Sequence, residues 1–472
     1  MQNRRALTIG MVSLVTFAAF EAVAVTAAMP TVARALDGLA LYGFTFGGPL
    51  ATSVVAMVLA GGWADRQGPA RPTLVGVALF CLGLLVAGLA PEMWTLVAGR
   101  LVQGFGGGLF TVAAYVVVGR AYPNEQHPRI FSAFAAAWVL PAVVGPTVAG
   151  VIVEHLGWRW VFLLVAIASV PATLMIWPQV RTIGGEPAAA AVNRRVPWAV
   201  GAAVSLCLLY FGGQRIDLLA LVYLGVGLAG VVFCAPRLLP RGTFTAARGL
   251  PSVVLLRGLA GAAFVQTDVF IPLLLTRERG LSPTLAGLTL TTGALCWSAG
   301  SWVQARQAQR LATAARLRLG LIAIAVGVVS ALLLILPSVP VAVVLAGWSI
   351  GGFGMGLAYP TMSSLVLSLS APGTQGANSS ALQVGDALLT TTVLAVGGSL
   401  FALLVDTPAG YLAAFTVALV PALLGIWVAG STTPPQPLVH EGEGHDPDGV
   451  PEQIDVVERH PEHQPRGEAV RG

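Results

Sequence analysis

The chain reads as an all-α membrane protein with about fourteen transmembrane helices, and three observations predict this. Apolar runs of membrane-spanning length follow one another from Ala6 to Gly430; a helix needs about 20 predominantly apolar residues to cross a bilayer. Only 10% of the 472 residues are charged and 56% are hydrophobic, with a mean hydropathy of +0.80. Soluble domains carry about 25% charge, so a soluble fold is excluded. Arginine also collects in every second gap between the apolar runs, as it does where cytoplasmic loops hold the basic residues.

The expected spans are residues 7–29, 40–64, 73–90, 94–118, 129–153, 158–177, 197–213, 217–235, 249–275, 281–303, 315–336, 340–369, 377–405 and 409–430. The first is preceded by Arg4 and Arg5, as a secretory signal would be. Glu21 interrupts its apolar run and further spans follow, so an uncleaved helix is expected. The seventh and eighth are short and separated only by Gly212 to Ile216; a re-entrant hairpin, with twelve spans in all, is the alternative there. With the N-terminus inside, inside segments hold 16 arginines and outside loops five, which puts both termini in the cytoplasm.

Charge and cysteine usage narrow the function. The formal charge of +5 comes from arginines in short loops and forms no basic block, so nucleic acid is not an expected partner. Cys81, Cys207, Cys234 and Cys296 fall in spans or at their ends and read as small apolar packing residues. Nine of the 21 acids lie after residue 440, in a Pro-, Gly- and acid-rich stretch that cannot bury a core. His440, His445, His460 and His463 lie there too, and a metal site in HEGEGHD is the alternative to a solvated, disordered tail.

Three segments carry polar residues where a membrane protein has reason to avoid them. After span 2 comes GGWADRQGPARP, residues 61–72. Its glycines permit a tight turn and close helix approach. Asp65 is suited to cap a neighbouring helix or to pair with an arginine, a contact that can be broken and remade between two states. Span 4 contains LVAGRLVQGFGGG, residues 96–108, with Arg100 more than a turn inside an apolar helix and Gln103 at i+3 on the same face. A buried arginine requires a partner, and acids in other spans are the candidates; snorkelling to the surface is the alternative. Span 5 carries PAVVGPTVAG, residues 141–150. Its small residues make a flat contact face, and Pro146 permits a bend.

These segments resemble motifs A, B and C of the major facilitator superfamily. The first matches through Gly61, Asp65, Arg66 and Gly68, but has Pro69-Ala70 in place of the usual basic pair. The second matches through Leu96, Arg100, Gln103, Gly104 and Gly106. The third keeps Gly145, Pro146 and Gly150, with Pro141 and Ala149 where glycines are usual. FEAVAVTAAMP, residues 20–30, resembles the span-1 motif of the fourteen-span drug:proton antiporters, with Glu21 for Asp and Val23 for Thr; GWRWVF, residues 157–162, is also similar to that group. The resemblance implies a six-helix bundle over 1–180, a linker with two extra central helices over 181–248, a second six-helix bundle over 249–430, and a cytoplasmic tail over 431–472. It also implies a plasma-membrane, monomeric multidrug exporter with no cofactor. GSWVQAR, residues 300–306, echoes the first motif in the second half, with Gln304 where the aspartate would be.

Three acids lie inside spans: Glu21 near the middle of span 1, Asp268 two-thirds along span 9 and Asp386 within span 13. An ionised carboxylate there costs at least about 2.5–3.5 kcal/mol, which makes each a candidate proton carrier; a structural hydrogen bond, or a counter-charge to Arg100 or Arg257, is the alternative. Substrate-cavity candidates are Tyr115, Trp138, Gln266, Trp297 and Gln383, with Tyr42, Thr45, Gln103 and Tyr359 beside them; aromatics suit flat lipophilic or cationic ligands. The expected partners are the lipid bilayer, a small-molecule substrate and protons. The expected activity is proton-coupled export of amphipathic compounds. Transport of a specific lipid, siderophore or metabolite by the same fold is the alternative, and a non-transporting sensor or scaffold is a further one. No nucleotide-binding loop and no catalytic or metal constellation is present in the sequence, so an enzyme is not expected.

Overall fold

A computed structural model describes residues 2–38, 41, 44–185, 195–212, 218–281, 283–307, 312–404 and 407–432. Tyr42, most of the 431–472 tail and its four histidines lie outside them. The described residues form fifteen α-helices: α1 (Gln2–Ala35), α2 (Phe44–Gln67), α3 (Ala70–Gly88), α4 (Met93–Ala121), α5 (His127–Ala136), α6 (Val139–His155), α7 (Arg159–Val180), α8 (Val196–Gly212), α9 (Leu218–Leu238), α10 (Leu250–Arg277), α11 (Pro283–Gln307), α12 (Thr313–Leu333), α13 (Val341–Ser368), α14 (Gln375–Leu403) and α15 (Pro408–Val428).

Among the described residues, twelve helical stretches are long and apolar enough to cross a membrane, against the fourteen expected. The two expected spans outside the twelve are α8, which is apolar but has 17 residues, and α11, which is 25 residues long but rich in Thr, Ser, Gly and Gln. The span expected at 129–153 is split into α5 and α6, with a turn at Ala137-Trp138. Pro141 explains the break, because it has no N–H to donate to the Ala137 carbonyl one turn earlier.

The sharpest turn is the one between α2 and α3. Gly68 has φ +81°, a left-handed conformation in which a Cβ would crowd the following carbonyl. It lets α2 stop at Gln67 and α3 start at Ala70.

Helices near in sequence pack into two groups. In the first, α3 lies on α4 and α7, α1 on α6 and α7, and α2 on α4. In the second, α11 lies on α13, α12 on α13 and α15, and α10 on α14 and α15. The helices α8 and α9 pair with each other, and α8 also lies along α2. Contacts between the groups run from α2 to α14, from α4 to α14, and from α5 to α11 and α13. The outer faces stay apolar: Val200, Val204, Leu221, Val222, Val226 and Phe233 of α8 and α9 are all exposed. So large a continuous apolar surface is not kept in water, and the chain is a multi-pass membrane protein.

Candidate functional site: charged groups in the helical core

The first network joins α1 to α4. Arg100 donates from Nη1 to Glu21 Oε1 and, at 2.5 Å, to Gln103 Oε1. Glu21 and Arg100 are 5% and 6% exposed, so the arginine does not snorkel out. Arg100 Nε donates to the Thr45 carbonyl at 3.0 Å. That carbonyl accepts no hydrogen bond from position 49, one turn on in the helix, because Pro49 has no N–H. A proline in α2 thus supplies the acceptor that helps hold a buried guanidinium.

The second network joins α10, α13 and α14. Arg257 Nε lies 3.1 Å from Asp386 Oδ2. Tyr359 Oη donates towards both Asp386 oxygens, at 2.9 and 2.7 Å. The guanidinium lies 3.4 Å from the centre of the Tyr359 ring, a cation–π stack. Its Nη1 donates to the Tyr359 carbonyl at 3.2 Å and to Ser363 Oγ at 2.9 Å. Ser363 in turn lies 3.0 Å from the Tyr115 hydroxyl of α4.

The third feature is an acid with no arginine. Among the described residues, Asp268 of α10 has no ion-pair partner. It faces the indole N–H of Trp348, which makes no hydrogen bond of regular geometry. Phe264, one turn earlier, stacks on Trp348 at 4.5 Å and meets Trp297 edge-on at 5.2 Å. Trp297 also meets Tyr359 edge-on at 5.6 Å. The aromatic residues therefore run continuously from Asp268 to the second network.

Asp65 sits where the two helix groups meet. Its carboxylate accepts the backbone N–H groups of Gly376 and Ala377, at 2.8 and 2.9 Å, at the start of α14. A helix N-terminus presents unpaired N–H groups and a positive dipole end, so an anion there is stabilised. Arg120 of α4 stands 3.5 Å away on the other side. Gly61 makes the approach close: a Cβ there would lie 2.7 Å from the Gly376 carbonyl oxygen.

Other residues singled out in the sequence lie elsewhere. Gln266 is completely buried and donates to the Ala414 carbonyl of α15 at 3.3 Å. Tyr115 is buried at the contact between the groups, with its ring 4.7 Å from Phe131. Trp138 is half-exposed at the break between α5 and α6. Gln383 is half-buried on α14, and its Oε1 has no partner. Arg66 is exposed, while Gly104 backs onto the Pro49 backbone. Gly145 faces Val23 of α1; the flat face continues at Ala149, which is fully buried with residues of α1, whereas a Cβ at Gly150 would meet nothing within 4 Å. The four cysteines are free thiols.

Sequence reasoning missed Ser363 and the Gly376 and Ala377 amides. A serine in an apolar helix carries no distinguishing signal. The amides belong to any helix start, though Pro372-Gly373 ahead of α14 marks that start in the sequence.

The chain belongs to the major facilitator superfamily, whose family model matches residues 9–394. Among curated proteins it is similar to the multidrug transporter protein MdtP of Bacillus subtilis, at 29% identity over 48% of this chain and 43% of that protein. It is also similar to the multidrug efflux pump SdrM of Staphylococcus aureus, at 24% identity over 61% of this chain and 66% of that one. The matched stretches span less than half the length of the first curated relatives. Among solved structures, the human organic anion transporter MFSD10 aligns with a TM-score of 0.68 over 91% of this chain and all of that one, at 16% identity. The proton:xylose symporter XylE aligns with a TM-score of 0.63 over 91% and 96%, at 13% identity. At these identities the structures speak for the fold alone.

Proposed function

We propose that the protein is a proton-coupled secondary transporter that exports small amphipathic compounds by alternating access. The observation that carries this is the buried Glu21–Arg100 pair, with Arg100 also held by Gln103 and the Thr45 carbonyl. A buried pair of this kind is weak evidence for stability, and in a membrane an ionisable group is a functional feature by default. Protonating Glu21 removes the charge that holds Arg100 and changes the free energy of the state that depends on it. Only such a difference between states drives a conformational cycle. Asp268 and Asp386 are the further candidate proton carriers. The aromatic run around Trp297 suits flat, lipophilic cargo.

The reading extends to topology. Fourteen spans follow if α8 and α11 cross the membrane beside the twelve. The arginine bias puts both termini in the cytoplasm and Asp65 at the cytoplasmic ends of α2 and α14. The relatives described as multidrug transporters favour amphipathic drugs over a single metabolite as cargo.

Purified protein in proteoliposomes tests this. With an imposed pH gradient, a panel of lipophilic compounds is followed for wild type, Glu21→Gln and Asp268→Asn. Gradient-driven movement lost in either variant supports antiport. Movement that ignores the gradient and survives both changes overturns proton coupling.

A further inference from the structure

We infer that Tyr115 and Ser363 are positioning residues that make the contact between the two helix groups depend on the charge of Asp386. The Asp386–Arg257 pair lies wholly within the second group, on α14 and α10. Ser363 extends it. Its single hydroxyl oxygen lies 2.9 Å from Arg257 Nη1, 3.0 Å from the Tyr359 carbonyl and 3.0 Å from the Tyr115 hydroxyl. A serine hydroxyl has one proton and two lone pairs. With its proton on the Tyr359 carbonyl, it accepts from Arg257 and from Tyr115, and all three capacities are filled. Tyr115 belongs to α4, in the first group, so the charged pair reaches the other half of the molecule through one oxygen atom.

The consequence follows from what holds Arg257 in place. Among the described residues, Arg257 from α10 and Tyr359 from α13 are the titratable groups against Asp386, and Tyr115 from α4 stands next to those two. While the carboxylate is charged, it accepts from Arg257 Nε and from Tyr359 Oη, and this fixes the guanidinium plane that aims Nη1 at Ser363. Protonation removes the opposite charge 3.1 Å from the guanidinium. Charge-assisted hydrogen bonds are about twice as strong as neutral ones, so the plane loses its main restraint. Ser363 is then less ordered and the bond to Tyr115 weakens. The contact between the groups is firm at high pH and loosens as pH falls. The Asp65–α14 contact also joins the two groups, but its carboxylate is bound to amides of a helix start and not to this network.

This reading concerns conformation, and it rests on the proposed proton coupling only for its use in transport. The test measures a distance by pulsed spin-label spectroscopy in the full chain in nanodiscs. Labels sit at Asn124→Cys, after α4, and Ala371→Cys, before α14, with the four native cysteines changed to alanine. In wild type the ratio of wide to narrow distances rises as pH falls. Tyr115→Phe, which removes only the hydroxyl, raises that ratio about fivefold at high pH and flattens its pH response; this equals about 1 kcal/mol. Asp386→Asn fixes the ratio high at every pH. Asp65→Asn widens the distances but keeps the pH response. A Tyr115→Phe protein with the full wild-type pH response overturns the inference, as does Asp386→Asn protein that matches wild type. If the distances respond as described and gradient-driven transport fails, this inference stands and proton-coupled export falls; transport without the distance response has the opposite meaning.

Discussion

Asp65 and Gly376 are 311 residues apart in the chain and joined by a 2.8 Å hydrogen bond from the Gly376 amide to the Asp65 carboxylate. The bond ties the end of α2 to the start of α14, and with the Ala377 amide it makes one side chain a direct link between the helix groups. A hydrogen bond to a charged group contributes about 1.5–3 kcal/mol. Asp65→Ala is therefore expected to shift the balance between closed and open forms by tenfold or more. Ser380→Cys reports on it, because Ser380 is buried against Gly61. Its alkylation by a small maleimide should speed up correspondingly in the Asp65→Ala background. An unchanged rate would mean that the contact does not control access.

Glu21 and Arg100 are expected to be unequal to their sum. Removing one member of a buried pair costs about 3–5 kcal/mol because it strands the other charge, whereas replacing both by apolar residues of similar size is near neutral. Arg100→Met should lower the thermal midpoint markedly, and Glu21→Met in the same chain should restore most of it. Thermal unfolding in detergent measures all three variants. A double variant as unstable as Arg100→Met would show that packing, and not the stranded carboxylate, is responsible.

Two glycines of the matched motifs should respond differently to alanine. Gly68→Ala places a Cβ at φ +81° and against the Ile183 carbonyl; the conformation alone costs about 1–2 kcal/mol. Gly150→Ala meets open space in a helix, where alanine is preferred by about 1 kcal/mol. Thermal unfolding should show a loss for the first and no loss for the second. The reverse order would contradict the geometry of both sites.

Gln266→Met should be nearly silent. Gln266 makes one hydrogen bond to a helix carbonyl, and its Oε1 has no partner. Methionine fills the same space without that buried unpaired oxygen. Stability should change by less than about 1 kcal/mol, and the KM for any transported compound should not move. A large KM change would place Gln266 on the substrate path.

Helix positions were largely legible because the bilayer imposes a length and a composition that leave a strong one-dimensional trace. The trace is weakest where chemistry competes with it. The helix α11 is polar enough to fall outside the twelve stretches, and Pro141 splits one expected span into two. Glu21, Arg100 and Asp65 stood out because charge in or beside an apolar run is costly and so is rarely incidental. Their partners did not stand out. The sequence offered Arg100 three acids and Asp386 two arginines, with nothing to choose between them.

The sequence by itself determined that this is a polytopic helical membrane protein, where most of its helices lie, and which few charged residues stand in or beside its apolar runs, because hydrophobic length and charge cost are properties of the chain alone. Only the tertiary structure decided the pairings. Glu21 goes to Arg100, Asp386 to Arg257, and Asp65 to the amides of a helix that begins 310 residues later. Asp268 is left facing a tryptophan. Pairing is set by which helix faces meet and at what height, and those depend on packing across the whole bundle, which no local stretch of sequence encodes.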